Sequence, residues 1–327
     1  MQFRNEMNEL LQEQSLFTPA LTREAARSLI GQDLAELCAS ATALRRQHFG
    51  DTVSLCAIIN AKSGNCGMNC AFCSQSAHHN AAVAAFSLLP AETLRERIAR
   101  LREFPILHCG IVTSGASLNR QEILAVADVL ATARRFSLPR LCASLGRLEA
   151  DSLAELRSSG LQRYHHNLEC SGTYYPKLCT TQAWSERLAT VRLARARGLE
   201  VCCGGLFGTG ESWEDRLDFA FTLAEEGIRE IPLNFLHPHP GTPLAAQPVL
   251  TADEALRIIA VFRHILPEST LRVCGGRVFV LGPRQAELFA AGANALMTGD
   301  YLTTAGQGIR EDLDMIARLG LKLLSAN

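Results

Sequence analysis

The chain has almost no net charge. Its 327 residues carry 32 Lys and Arg against 33 Asp and Glu, a formal charge of -1 at pH 7. Nothing in that balance pulls the protein toward nucleic acid or an anionic membrane surface. No apolar run approaches the roughly 18 residues that a membrane span needs. The opening stretch, MQFRNEMNELLQEQ, has no apolar signal core. These absences predict a soluble, cytoplasmic protein. Low-complexity tracts and Pro- or Ser-rich linkers are missing as well. With 47% hydrophobic and 20% charged residues, the composition excludes long disorder and supports a sizeable core. The length suits two domains or one α/β barrel.

What the sequence has in excess is cysteine. There are 12 cysteines, at positions 38, 56, 66, 70, 73, 109, 142, 170, 179, 202, 203 and 274. In a large chain without a leader, metal or redox chemistry is a better reading than a disulfide framework. Several cysteines are expected to be no more than small buried hydrophobes, and Cys38, Cys56 and Cys179 are assigned that role.

Residues 1–50 read as a helical extension. Leu10, Leu11 and the pattern over 23–49 space their apolar residues by three and four, and Thr18-Pro19 suits a helix start. From residue 53 the rhythm changes. Short apolar or β-branched runs at 53–60, 106–114, 140–145, 163–170, 200–207, 230–236, 270–276 and 293–299 alternate with amphipathic stretches such as AETLRERIARLREF and WSERLATVRLARARG. Several of these end at glycine, a helix stop. Eight strands with a helix between most neighbours predict an α/β fold, a (β/α)8 TIM barrel over 51–327. An open doubly wound sheet is the alternative, and the glycine-rich strand ends and eighth strand favour closure.

The motif that carries chemistry is CGMNCAFC at 66–73. Cys66, Cys70 and Cys73 stand in a loop just after the first candidate strand. Three thiolates on one tight loop can hold three irons of a 4Fe-4S cluster and leave the fourth iron open to a small molecule. Soft thiolates also suit zinc or copper(I). Structural zinc wants four ligands, however, and His78 and His79 are not at finger spacing from the third cysteine.

This loop resembles that of the radical S-adenosylmethionine (SAM) enzymes, in which an aromatic at the position of Phe72 lies against the adenine. From about Ala41 to Leu321 the chain also resembles the biotin synthase family. The resemblance rests on RRQHF (45–49), YHHNLE (164–169), VCCGGLFGTGES (201–212), PLNFL with GTPL (232–244), LRVCGGR (271–277) and AGANALMTGDYLTT (291–304). It implies a 4Fe-4S cluster held by Cys66, Cys70 and Cys73, bound S-adenosylmethionine, and conversion of dethiobiotin to biotin with sulfur from a second cluster inside the barrel.

Residue by residue, the resemblance implies that Gly204, Gly208 and Glu211 form the nucleoside-side strand, and that Glu169 binds the ribose. It implies that Arg187 pairs with the methionyl carboxylate, where a bidentate guanidinium fits. It implies that Asn167 and Asn234 contact the ureido ring, which needs both a donor and an acceptor. Strand alternation puts Asn167 and Glu169 on one face. Cys109, Cys142, Cys202 and Arg272 match the ligands of the internal cluster, with Arg272 a catalytic residue beside the three loop cysteines. Cys274 departs from the family pattern. It shares a face with Arg272 and is a candidate ligand alongside or in place of it, with a 4Fe rather than a 2Fe-2S cluster as the consequence. Cys170 and Cys203 alternate away from the interior unless a bulge intervenes. His237 and His239 are read as polar loop residues. The family further implies a flavodoxin or ferredoxin electron donor and a homodimer. The competing reading is a relative with another radical reaction, a mutase or a cofactor-maturation enzyme.

Overall fold

The computed structural model describes residues 18–135 and 139–324. The expectation for Leu10 and Leu11 therefore lies outside the described residues. The helical pattern over 23–49 is two helices, α1 (Arg23–Leu29) and α2 (Leu34–Phe49). Each start has a side-chain cap, the physical signal that ends one helix and begins the next. Thr22 accepts from the Ala25 amide. Asp33 accepts from the amides of Ala35 and Glu36. The first described helix thus begins after Thr22, not at Thr18-Pro19.

The rest alternates strand and helix. In order come β1 (Thr52–Lys62), α3 (Ala91–Leu101), β2 (His108–Thr113), α4 (Arg120–Ala133), β3 (Arg140–Ser144), α5 (Ala150–Ser158), β4 (Arg163–His165), α6 (Trp184–Ala196), β5 (Glu200–Cys202), β6 (Gly205–Phe207) and α7 (Trp213–Glu225). Then follow β7 (Glu230–Phe235), α8 (Ala252–Ile265), β8 (Thr270–Val273), the short α9 (Arg277–Leu281) and α10 (Glu287–Ala290), β9 (Ala295–Met297), α11 (Ile309–Arg318) and β10 (Lys322–Leu323). All neighbouring strands pair in parallel. β9 returns to β1, with Leu55 opposite Leu296, and so closes the barrel. β5 and β6 form one interrupted stave, so eight staves make the ring. β10 adds only a short pairing to the start of β1.

Parity along the strands sorts the side chains. On β1, Val53, Leu55, Ala57, Ile59 and Ala61 are buried against the helices, while Cys56, Ile58 and Asn60 take the half-buried inner positions. The apolar layer between staves and helices is the core, in two contiguous parts. The interior is a different medium, lined by thiols, arginines, histidines and amides. Among the described residues no helix is long and apolar enough to cross a membrane.

β4 is shorter than the sequence suggests. Its ladder ends at His165, and Glu169 takes a left-handed φ of 72° before bridging to Gly205. Asn167 and Glu169 therefore stand on the turn above the stave, not on it, although both still line the interior.

Candidate active site

The cysteine loop leaves the C-terminal end of β1 and folds back on itself. The Cys66 amide donates to the Gln75 carbonyl (2.9 Å), and the Ala77 amide donates to the Cys66 carbonyl (2.7 Å). A tight turn joins the Cys73 amide to the Cys70 carbonyl (2.9 Å). His78 and His79 brace this backbone, their ring nitrogens donating to the carbonyls of Gly67 (3.0 Å) and Cys70 (2.9 Å). Asn69 ties the loop to the segment after β4, with Nδ2 donating to Thr180 Oγ1 (2.7 Å) and Oδ1 accepting from the Thr180 amide (3.0 Å). The Cys73 thiol lies within electrostatic reach of Cys66 and of Cys70, and burial pushes Cys73 up to about 11. Phe72 packs against the cluster of Tyr174, Tyr175 and Leu178 and lines the cavity. Cys179 is buried with Tyr174, Tyr175 and Leu178, as expected of a small hydrophobe, and its thiol meets Thr181 Oγ1 at 3.4 Å.

Below the loop lies a cavity of about 430 Å³ inside the barrel. Cys142 of β3 and Cys202 of β5 face it, as does Cys274 just past β8. The fourth thiol is Cys56 of β1, which corrects its assignment as a core hydrophobe. Neighbours around this ring interact: Cys56 with Cys142, Cys142 with Cys202, Cys202 with Cys274, and Cys274 with Cys56. Burial pushes all four thiols up, so a metal has to displace protons to bind them.

Cys109 does not join this ring. It is fully buried in the layer between staves and helices, beside Ile111 and Ala127. The neighbour on its own strand, His108, takes the inward position. The family match had followed residue type, and the register overrules it by one residue. The signal was in the sequence: Cys109 shares parity with Ile111, and His108 with Gly110. Cys56 was legible the same way, being out of phase with Val53, Leu55, Ala57 and Ile59. His108 has both ring nitrogens unpartnered. Burial first, then Arg163, Arg272 and Arg140, hold its imidazole down to about 2. Cys170 and Cys203 point away from the cavity, as expected; Cys203 packs in the main core, and Cys170, on the turn past β4 where strand alternation no longer applies, packs with Tyr174 and Tyr175. Cys38 is half-buried against the main core.

Two arginines meet at the cavity floor. Arg272 Nη2 donates to Glu230 Oε2 (3.2 Å), and Arg163 Nη1 pairs with the same oxygen (3.2 Å). Arg272 also reaches the carbonyls of Ser54 and Leu296. Burial alone lowers its affinity for a proton, and Cys56, Glu230, Cys274 and Cys202 more than reverse that, so it stays charged. A charged guanidinium has no lone pair to give a metal.

Arg187 does not itself line the cavity and is fixed by its own neighbours. Nη2 donates to Glu169 Oε1 (3.1 Å), Nε to the Asn167 carbonyl (2.6 Å) and Nη1 to Gln182 (3.0 Å). Asn167 Oδ1 accepts from the Gly204 amide (3.1 Å). Asn234 Nδ2 donates to the Gly205 carbonyl (3.1 Å) and its Oδ1 accepts from the Gly275 amide (3.0 Å). Each amide therefore ties two staves together and keeps one N–H for a ligand. Gly204 and Gly208 have reasons of their own to be glycine and do not line the cavity. A Cβ on Gly204 would sit 1.9 Å from the Pro232 carbonyl oxygen. Gly208 has a φ of 90°. Its amide donates to the buried Glu211, which also accepts from Thr209 and pairs with Arg216 (2.8 Å). Glu211 thus holds the turn and is not a ligand group facing the cavity. His237 lines the cavity rim stacked on Phe279 at 4.0 Å, and His239 Nδ1 donates to the Pro240 carbonyl.

The donor set can be tested for metal type. Among the described residues no three Cys, His, Asp or Glu side chains stand close enough to share one ion. Mononuclear zinc requires that convergence. A cluster does not, because each thiolate takes a different iron. Both thiol groups fit clusters.

A closed parallel barrel with a three-cysteine loop at the mouth defines a class, the radical SAM enzymes. Residues 61–223 match the Radical SAM superfamily, and residues 232–322 match the Biotin and Thiamin Synthesis associated domain. Over 308 residues the chain is 57% identical to a biotin synthase of Desulfovibrio desulfuricans, covering 94% of this chain and 97% of that one. It is 44% identical to a biotin synthase of Heliobacterium modesticaldum, covering 95% and 97%. The chain belongs to the biotin synthase family. Among solved structures it is similar in fold to methylornithine synthase, with a TM-score of 0.81 at 19% identity and 98% of each chain covered. It is likewise similar to HydG, a maturase of the [FeFe]-hydrogenase, with a TM-score of 0.78 at 16% identity, covering 98% of this chain and 79% of that one.

Proposed function

We propose that this enzyme inserts sulfur into dethiobiotin to give biotin, the sulfur coming from an iron–sulfur cluster held by Cys56, Cys142, Cys202 and Cys274. The observation that carries the reading is the ring of four inward thiols on β1, β3 and β5 and just past β8. Barrel interiors are ordinarily packed with branched aliphatics, so thiols there need a reason. One thiolate per iron makes the set suit a four-iron cluster. Cys274 takes the ligand position that the resemblance gave to Arg272.

When bound, the loop cluster and S-adenosylmethionine supply hydrogen-atom abstraction, twice per product, and the internal cluster supplies the sulfur. The chain's own residues do the rest. Cys66, Cys70 and Cys73 hold the outer cluster, and Phe72 offers its face to the adenine. Glu169, oriented by Arg187, accepts from the ribose hydroxyls. Arg187 has its guanidinium already fixed for the methionyl carboxylate. Asn167 and Asn234 orient the ureido ring with their remaining N–H groups. Arg272 stays protonated and offsets thiolate charge at the floor. The barrel wall keeps water from the reacting carbons. A flavodoxin or ferredoxin electron donor and a homodimer complete the reading, on the strength of family membership.

The test is anaerobic reconstitution of the full chain, with iron and acid-labile sulfide counts, Mössbauer spectra and a dethiobiotin assay. Two iron centres are expected in the wild type. Cys142→Ala and Cys274→Ala lose the inner centre and biotin formation but still cleave S-adenosylmethionine. Cys109→Ala keeps both centres. Iron at the loop alone in wild-type protein would end the reading, and an unchanged inner spectrum in Cys274→Ala would remove that residue from the ligand set.

A further inference from the structure

The four-thiol site leaves one buried group without a use. His108 is 3% exposed, faces the cavity, and has neither ring nitrogen partnered. A buried imidazole normally finds a partner for its N–H. None of its charged neighbours can serve, because Arg140, Arg163 and Arg272 are donors only. The acceptor has to come from whatever fills the cavity.

The position of His108 says which part of the occupant that is. In the ladder its register partner on β1 is Cys56. Two residues along the same face comes Gly110, whose register partner on β3 is Cys142. Adjacent strands lie about 4.8 Å apart, so the imidazole stands beside one ring thiol and one step below another. Nothing from β2 intervenes. A Cβ on Gly110 would stand 4.0 Å from Cys142 Cβ and 3.3 Å from Ile58 Cγ2, so any side chain there would close the gap between imidazole and thiols.

We propose that His108 is a hydrogen-bond donor to the internal cluster, its ring N–H directed at a sulfur on the Cys56–Cys142 side, opposite His165, whose Nδ1 meets Cys202 Sγ at 3.3 Å. The inference rests on the four-thiol cluster of the preceding subsection. Four thiols already give one ligand to each of four irons, which leaves the imidazole the sulfur atoms to address. Hydrogen bonds to cluster sulfur stabilise the added electron and raise the reduction potential. His108 is thus a positioning and tuning residue for the sulfur-donating centre.

The test uses the full chain, reconstituted without oxygen, with ¹⁵N-labelled histidine. Pulsed EPR of the reduced inner cluster, measured in a His165→Phe background because His165 Nδ1 lies 3.3 Å from Cys202 Sγ, should show a weak nitrogen coupling that adding His108→Phe abolishes. At a fixed poise the ratio of reduced to oxidised inner cluster should fall about tenfold in that variant, or ~59 mV for one electron. His108→Gln, which keeps an N–H donor, should recover most of the ratio while still losing the labelled coupling. If His108→Phe does not fold, His108→Gln carries the spectroscopic comparison. A coupling strong enough for direct ligation overturns the proposal, and so does an inner cluster whose spectrum and potential ignore both substitutions. Mössbauer spectra separate the two levels: no inner cluster in wild type defeats the four-thiol reading and this inference together, whereas an inner cluster indifferent to His108 defeats this inference alone.

Discussion

His166 shows how strongly single residues feel this interior. It lies just beyond β4, 5% exposed, its ring stacked beside Tyr164 at 6.5 Å and Nε2 without a partner. Burial first, then Arg187, His165 and Arg147, hold its pKa well below the usual histidine value. The folded chain therefore keeps this imidazole neutral, while an unfolded one takes a proton near pH 6.5. Its contribution to stability is present in full above that pH and is lost as the pH falls below it, at about 1.4 kcal/mol per pH unit. Denaturant midpoints of the metal-free chain at pH 7.5 and 5.5 should differ less in His166→Phe than in wild type. Equal differences would mean that His166 titrates normally. The same scale explains why residue type was a poor guide at β2. Cys109 has the right chemistry for a cluster and the wrong parity, and His108 has the parity.

At the scale of elements, the interrupted stave β5–β6 turns on one proline. Cys202 pairs with Glu230 and Gly205 with Leu233, so the register brings Gly204 opposite Pro232. Proline has no N–H to give the ladder, so β5 and β6 are separate strands, although the Cys203 amide still donates to the Glu230 carbonyl (2.9 Å). On the β4 side the Gly204 amide donates to the Asn167 side chain (3.1 Å). The backbones approach so closely there that only glycine fits, the Pro232 oxygen lying 1.9 Å from a would-be Cβ. Gly204→Ala should cost about 1–3 kcal/mol, read as a lower urea midpoint in the metal-free chain. An unshifted midpoint would show that β7 yields freely. The run of apolar residues predicted this stave, but its break depends on a proline from the next stave. Helix starts were more legible, because caps are local. Asn119 and Ser212 open α4 and α7 with reciprocal capping boxes.

At the scale of the whole molecule, the two family regions share one barrel. The first supplies the cysteine loop and β2 to β6, while β1 with Cys56 lies almost wholly ahead of it. The second supplies most of β7 with β8 and β9, and therefore Asn234, Arg272 and Cys274. Neither half encloses the cavity alone, and closure rests on β9 meeting β1. The C-terminal half is fastened by a fully buried ion pair, Arg277 Nη2 to Asp312 Oδ2 at 2.5 Å, between the start of α9 and α11. Removing one partner leaves a charge stranded in the core. Asp312→Ala should destabilise the protein by about 3–5 kcal/mol, seen as a fall in Tm without a change at the thiols themselves. An unchanged Tm would mean that water or another group takes over Arg277.

The sequence by itself determined the succession of eight staves and their helices, the loop of Cys66, Cys70 and Cys73, and the family, because propensity, patterning and motif spacing are properties of neighbouring residues. Parity along each strand, legible in the sequence, sets which side chains can face inward. Tertiary structure alone decided which thiols meet, because convergence depends on ring closure and brings together residues as far apart in the chain as Cys56 and Cys274.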